Sequence, residues 1–340
     1  MKRDITIYDI AKALGISGAT VSRALKDHPA INAQTRKKVR AMADSMGYQS
    51  NHFASNLRKR RTNTIGVIIP RLNSYFVSTA LSAMEKVASE AGYNIIIAQS
   101  MESASKEMAN AQTLFNSRVD GLLVSMSADS KSVQAFVKFT EKNIPLIFFD
   151  QVPDHTQHPC IVIDNKQSAY EVTKHLIEQG CRRIAHLTGN TSRYVYRERL
   201  LGYRMALAEA GIAFEEELVL HSDLTEVSAT GVCEQIMAMP EKPDALFAAN
   251  DMTAASCLRV FKERGWSVPQ DIAIAGFNND HISRVVEPNI TTVDYPAYQL
   301  GETAAVYLIN HLTGKASLHA TNKVILRSEL LVRDSTRRLS

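Results

Sequence analysis

From residue 64 onward, short apolar runs alternate with helical stretches, and this alternation leaves few folds open. The runs are TIGVIIP, YNIIIAQ, DGLLVSM, IPLIFFD, CIVIDN, RRIAHLTG, ELVLHSD, DALFAAN and DIAIAGF. Apolar strands bounded by helices belong in a parallel sheet that is covered on both faces. So many strand–helix units point to two doubly wound lobes, not one sheet. No Pro/Ser/Gly-rich linker interrupts residues 64–335, and neither a repeat period nor a low-complexity tract is visible.

The first fifty residues have a different pattern. Ile7, Ile10, Ala11 and Leu14 form one apolar helix face, which Gly15 interrupts. Ser17 is placed to cap a second helix with Val21, Ala24 and Leu25 as its apolar positions. Asn32 is placed to cap a third through TRKKVRAMADSM, with Gly47 at its end. An all-α module over residues 1–50 is expected. Residues 51–61, NHFASNLRKRR, read as a basic linker too short to hold a helix alone.

Charge separates the same parts. Residues 1–61 hold 13 Lys/Arg against 4 Asp/Glu, whereas the rest holds 26 against 31. A basic head on a mildly acidic body suggests a partner that is a polyanion. The start shows no secretory leader and no apolar run is long enough to span a bilayer, so a cytoplasmic protein with no membrane partner is expected. Cys160, Cys181, Cys233 and Cys257 are widely spaced, with no metal-ligand pattern, and read as buried free thiols. There is no GxGxxG after a strand, no GxxxxGK[ST], no GxSxG and no HExxH. His175, His186 and His221 read as ordinary helix or strand-end residues. No catalytic residue, cofactor or metal is expected.

A bihelical DNA-reading motif needs a small residue where its helices touch and a glycine four positions on; Ala11 and Gly15 supply them. The second helix would enter the major groove by its N-terminal end. Its outward residues are Gly18, Ala19, Thr20, Ser22, Arg23 and Lys26. Arg23 suits a guanine edge, and Thr20 and Ser22 suit bases or phosphates. Ser17, Asn32 and Thr35 lie where helix amides can meet phosphate, and Thr6 and Tyr48 complete the expected contact set.

TIYDIAKALGISGATVSRAL, NAQTRKKV and GY resemble the headpiece of the LacI/GalR family of transcription regulators. The resemblance continues through IGVIIP, NSYF, VDGLLV, PLIFFD, VIDN, RRIAHLTG, ERLLGY, PDALFAAND, VPQDIAIAGFNND, ITTVDYP and ELLVRDST, and so covers essentially the whole chain. It implies a helix-turn-helix domain over 1–50, a hinge over 51–61, and a bilobal, periplasmic-binding-protein-like domain over 62–340 that binds an effector and dimerises. It also implies that the hinge becomes a helix on DNA. Leu57 is then the wedge in the minor groove, and Asn51 and Ala54 match other hinge positions. Arg58 and the basic residues through Arg61 read as tracking phosphate, or else as a solvated linker charge run. The family commonly has proline where this chain has Ser50. Gly18 and Ala19 occupy the usual base-reading positions without side-chain hydrogen bonds, so they do not spell out an operator.

Ligands of open α/β sheets sit beyond the strand C-termini, and two lobes place that site between them. Strand ends nominate Tyr75, Phe76, Asp150, Asn250, Asp251 and Asp280, with Arg197 and Arg199 at a helix start and Tyr295 at a lobe crossover. The resemblance places Phe76, Asp150, Arg199 and Asp251 at effector-contact positions. Asp251 and Arg199 carry the most weight, and Asp251→Ala is expected to abolish effector response without unfolding. Phe76 also reads as plain core, Asp150 as a helix cap or lobe brace, Asn250 as a turn former, Arg197 as a surface charge, and Asp164 as a lobe-closure or dimer residue. The expected protein is a sequence-specific regulator of repressor type. It would be a homodimer on a near-palindromic operator, controlled by a sugar or sugar derivative. A nucleobase-responsive repressor is the alternative. A sugar-binding transport protein shares the fold but lacks a basic head.

Overall fold

The computed structural model describes residues 5–48 and 61–338. The expected hinge residues Asn51, Ala54, Leu57 and Arg58 lie outside the described residues. The chain divides into two compact units, Met1–Thr62 and Asn63–Ser340.

In the first unit, α1 (Ile7–Leu14), α2 (Gly18–Leu25) and α3 (Ala33–Ser45) enclose Ile10, Ala11, Val21, Ala24, Val39 and Ala43. Each helix starts where a side chain accepts or balances an orphan amide. The Thr6 N–H and hydroxyl both donate to Asp9 Oδ2 (2.8 and 2.7 Å). Ser17 Oγ accepts from the Thr20 amide, and Asn32 Oδ1 from the Thr35 amide (2.7 Å). Gly15 ends α1 at φ 63°, a left-handed conformation that costs other residues more.

The second unit has two parallel sheets. The first lobe contains β1 (Thr64–Ile69), α4 (Tyr75–Glu90), β2 (Asn94–Gln99), α5 (Ala104–Asn116), β3 (Gly121–Val124), α6 (Val137–Glu141), β4 (Leu146–Phe149) and β5 (Cys160–Ile163). The second contains α7 (Asn165–Glu178), β6 (Ile184–Thr188), α8 (Tyr194–Glu209), β7 (Val219–His221), α9 (Glu226–Ala238), β8 (Ala245–Ala248), α10 (Asp251–Glu263), β9 (Ala273–Ala275) and β10 (Thr292–Asp294). The chain then returns through α11 (Ala297–Leu312), which packs on α4, and β11 (Lys323–Leu326), and ends beyond β12 (Glu329–Leu331).

Strand order is β11-β5-β4-β3-β1-β2 in one sheet and β7-β6-β8-β9 in the other. All these pairings are parallel, and the order reverses beside β1 and beside β6. The apolar runs from TIGVIIP to DIAIAGF all contain strands, and the central ones are buried on both faces, as β3, β4 and β8 are. Three further strands had no such signal. β11 joins the edge of the first sheet beside β5. β12 pairs antiparallel with β10, which is tied to the β9 end through bridges at Thr291 and Asp294. The chain therefore passes between lobes three times: after β5, between β10 and α11, and between β11 and β12.

All four cysteines are buried and free. His186 lies in β6, stacked on Tyr203 and Phe247, and burial drives its imidazole down to about 3, so it stays neutral. Among the described residues, no helix is long and apolar enough to cross a membrane and no three-ligand metal cluster occurs.

Candidate functional site

The first candidate surface is the outer side of α2. Val21 and Ala24 are fully buried, which turns Ala19, Arg23 and Lys26 outward, with Gly18, Thr20 and Ser22 half-buried beside them. Ser17 Oγ is shared with the Thr20 hydroxyl at 2.9 Å, so both hydroxyls are oriented before any partner arrives. Tyr8 carries no local signal for this surface in the sequence. It is 66% exposed, and a Cβ on Gly18 would lie 3.1 Å from its ring. The missing side chain at position 18 thus leaves an aromatic ring at the start of α2. Thr6 is engaged with Asp9, and the Tyr48 amide donates to Ala43 O. Thr35 and Asn32 cap α3 together.

The second candidate site gathers strand ends from both lobes. Asp150 follows β4 at φ 56°, and its carboxylate is held on two sides. Oδ1 accepts from the Tyr295 hydroxyl at 2.9 Å and Oδ2 from the Ser125 hydroxyl at 3.4 Å. Burial pushes the Asp150 carboxyl up, opposed by the Arg193 and Arg199 charges. Tyr295, at the second passage between lobes, packs against Phe76 with ring centroids 4.5 Å apart. Tyr75, one residue before Phe76, is 53% exposed.

Arg199 stands opposite on α8. Its Nε donates to Asn165 Oδ1 (3.0 Å) and its Nη1 to Ala249 O (2.6 Å). The guanidinium lies 3.5 Å from the centroid of the Phe277 ring, with Tyr196 and Tyr295 each at 6.0 Å. Two of its five N–H groups are so engaged, and among the described residues no hydrogen bond holds the other three. Burial lowers its pKa, but an arginine remains charged at neutral pH. A planar cation fixed at its edge and face, with donors to spare, is a preorganised anchor for hydroxyl or acidic oxygens.

Three nominated residues turn out differently. Asp251 is fully buried, and both carboxylate oxygens are used within the protein. Thr292 donates to Oδ1 at 2.6 Å and the Asp280 amide to Oδ2 at 2.7 Å. A methyl group on Gly276 would collide with the same Oδ1, so the glycine makes room for the carboxylate. Asp251 therefore clamps the β9–β10 region, with both of its oxygens accepting from groups of the chain itself. Asn250 caps α10 by accepting from the Thr253 amide at 2.7 Å, which accounts for it as a turn former. Arg197 pairs with Asp154 in the β4–β5 loop and is not brought to the Asp150–Arg199 group. Asp164 caps α7 through the Gln167 amide.

Asp280 does join the cluster. Burial raises its carboxyl to about 6, with Asn278 and Arg199 pulling the other way. A carboxyl whose folded pKa is raised binds its proton more tightly in the native state. The stability it contributes is complete below about 4, the unfolded value, and is lost as pH rises through about 6. Asp280→Asn should therefore flatten the fall in unfolding free energy between those limits, as measured by urea titration over a pH series. An unchanged slope would show Asp280 to be ordinary.

Arg193 was also missed. It stands at the N-cap position of α8 without a side-chain capping bond, lies 5.2 Å over Tyr196, and donates through Nη1 to Glu102 at 2.9 Å. Its Nε is buried with no hydrogen-bond partner among the described residues. Its proximity to Asp150 was hidden because the two are contributed by different lobes.

Two parallel-sheet lobes with an arginine–carboxylate–aromatic site at their strand ends, preceded by a basic three-helix module, define a ligand-sensing DNA-binding regulator. Residues 6–51 match the bacterial regulatory proteins of the lacI family, and residues 173–336 match the periplasmic binding protein-like domain. The chain is 30% identical to catabolite control protein A of Priestia megaterium over 91% of this chain and 93% of that protein. It is 30% identical to the transcriptional repressor PurR of Photobacterium profundum over 98% and 99%. Among solved structures, the Lac repressor dimer bound to operator and the anti-inducer ONPF superimposes with a TM-score of 0.87 at 25% identity, covering 98% of this chain and 99% of that one. A CelR–cellobiose complex gives 0.73 at 28% identity, covering 97% and 99%. The chain belongs to the LacI family of DNA-binding transcription regulators, and it is not an enzyme.

Proposed function

We propose that this chain is a cytoplasmic, homodimeric repressor whose affinity for a near-palindromic operator is set by a small molecule, a sugar or sugar derivative, bound between its lobes. Residues 1–50 read DNA, 51–61 form the hinge with Leu57 as wedge, and 62–340 bind effector and dimerise. The observation that carries the effector reading is Arg199: fixed by Asn165, Ala249 and Phe277, it keeps three N–H donors unspent beside Asp150 and Asp280. Donors and carboxylate acceptors around an aromatic wall suit paired hydroxyls over the apolar face of a sugar ring. The repressor names and the operator- and sugar-bound states of its relatives support the same reading. A planar nucleobase is the second reading, favoured by the aromatic rings of Phe76, Tyr295 and Phe277 that gather at this site.

Thermal unfolding of the full-length protein against a panel of sugars, nucleosides and purines tests both, because a ligand of the native state raises the midpoint with its concentration over Kd. Arg199→Lys keeps the charge but loses the fork. It should weaken the responding ligand by about tenfold or more, the worth of one charge-assisted hydrogen bond. An unaltered response in that variant removes Arg199 from the site.

A further inference from the structure

Beside the same group of residues, where the Arg193 charge acts on Asp150, one carboxylate holds arginines from both lobes. Glu102 follows β2 in the first lobe. Its Oε1 accepts from Arg193 Nη1 at 2.9 Å, and Arg71 Nε, after β1, lies 3.5 Å from the same oxygen. Oε2 accepts from the Ala128 amide at 3.1 Å. Glu102 and Arg193 are mostly buried, with side chains 16% and 12% exposed, whereas Arg71 is open to solvent. Ala128 O in turn accepts from Ser192 of the second lobe at 3.5 Å, so the lobes meet here.

Two features show that Glu102 is placed there against resistance. Met101 and Glu102 are consecutive non-glycine residues in the left-handed region, φ 53° and 62°. The carboxylate also lies next to a second buried one, Glu107, which is tied down by the Ser127 amide and the Ser130 hydroxyl. Asp223 of the second lobe is the other acid near Arg71. Meanwhile Arg193 is not saturated, since its buried Nε has no partner among the described residues. Two guanidinium forks and a backbone amide converging on one carboxylate form the donor set that a carboxylate or phosphate ligand requires.

We propose that Arg193 and Arg71 form a subsite for an acidic group on the effector, a carboxylate or a phosphate, and that Glu102 occupies this subsite until the effector displaces it. This rests on the effector reading of the cleft and narrows it to an acidic sugar derivative or comparable small anion. Effector binding then exchanges a contact within the protein for a contact with ligand at the seam between the lobes, which couples occupancy to closure.

The test uses full-length protein with inorganic phosphate and acetate as probes, at constant ionic strength set with chloride. Glu102→Gln preserves the shape of the side chain and removes its charge. Apparent Kd from the thermal midpoint should fall about tenfold or more for at least one probe relative to wild type. The gain should vanish in Glu102→Gln/Arg193→Gln and be partial in Glu102→Gln/Arg193→Lys. Phosphate and acetate report the two acid types, and a gain with either supports the subsite. Equal midpoints for wild type, Glu102→Gln and the double variants overturn it. Should those variants still respond to an uncharged sugar or nucleoside, only the acid subsite fails. If wild type responds to nothing in the panel, the cleft reading itself fails.

Discussion

Removing residues 1–62 is expected to abolish recognition of operator DNA and to leave the remaining protein folded and responsive to effector. The two units bury separate apolar clusters: one is built from residues between Ile7 and Tyr48, and the others begin at Ile65. The deletion therefore opens no cavity in the larger unit. It does remove a surplus of nine basic charges, together with Arg23, Lys26 and the rest of the outer face of α2. Phosphate neutralisation supplies much of DNA affinity, and groove contacts supply its specificity. Loss of both should cost at least about a thousandfold in affinity for a selected operator. Electrophoretic mobility shift at several salt concentrations measures this. The intact protein should weaken steeply as salt rises, and the truncated one should show no preference at any salt. Retained preference for one duplex would place DNA recognition in the larger unit and reject the headpiece assignment.

Asp251→Ala is expected to destabilise the protein instead of silencing an otherwise intact sensor. The substitution leaves the fully buried Thr292 hydroxyl and the part-buried Asp280 amide without their acceptors. Each orphaned buried donor costs about 1–3 kcal/mol, and the space vacated beside Gly276 adds to this. A loss of about 3 kcal/mol or more is expected, by denaturant unfolding. Burial also drives the Asp251 carboxyl well above the usual carboxylate range. Asp251→Asn, which can still accept one of the two bonds, should recover part of the loss. Undiminished stability in Asp251→Ala, with effector response gone, would restore it to the ligand contacts.

The contrast between Asp251 and Arg199 shows where sequence reading reaches its limit. Both lie just beyond strand ends, and position alone ranked them together. Asp251 begins α10 directly after β8, and the close approach of Gly276 and the Thr292 hydroxyl draws its carboxylate inward. Arg199 sits a turn further into α8, where Asn165 and Phe277 grip its guanidinium and leave donors over. Residue type at a strand end predicts a polar group near the cleft; it does not predict whether a neighbour 41 positions away has already claimed it.

By itself the chain's order of residues determined the local elements: three capped helices, their basic surplus, and the strands from β1 to β9, because caps, turn glycines and apolar runs act within a few neighbours. Only the tertiary structure decided the rest. β10, β11 and β12 are short, and β11 and β12 are only partly buried, so their strand character comes from the edges they join. Glu102 and Arg193 stand 91 residues apart on different lobes, and nothing local marks them as partners. Their meeting is a consequence of how two packed lobes are brought together, and a contact between distant parts of a chain exists only once the intervening core has formed.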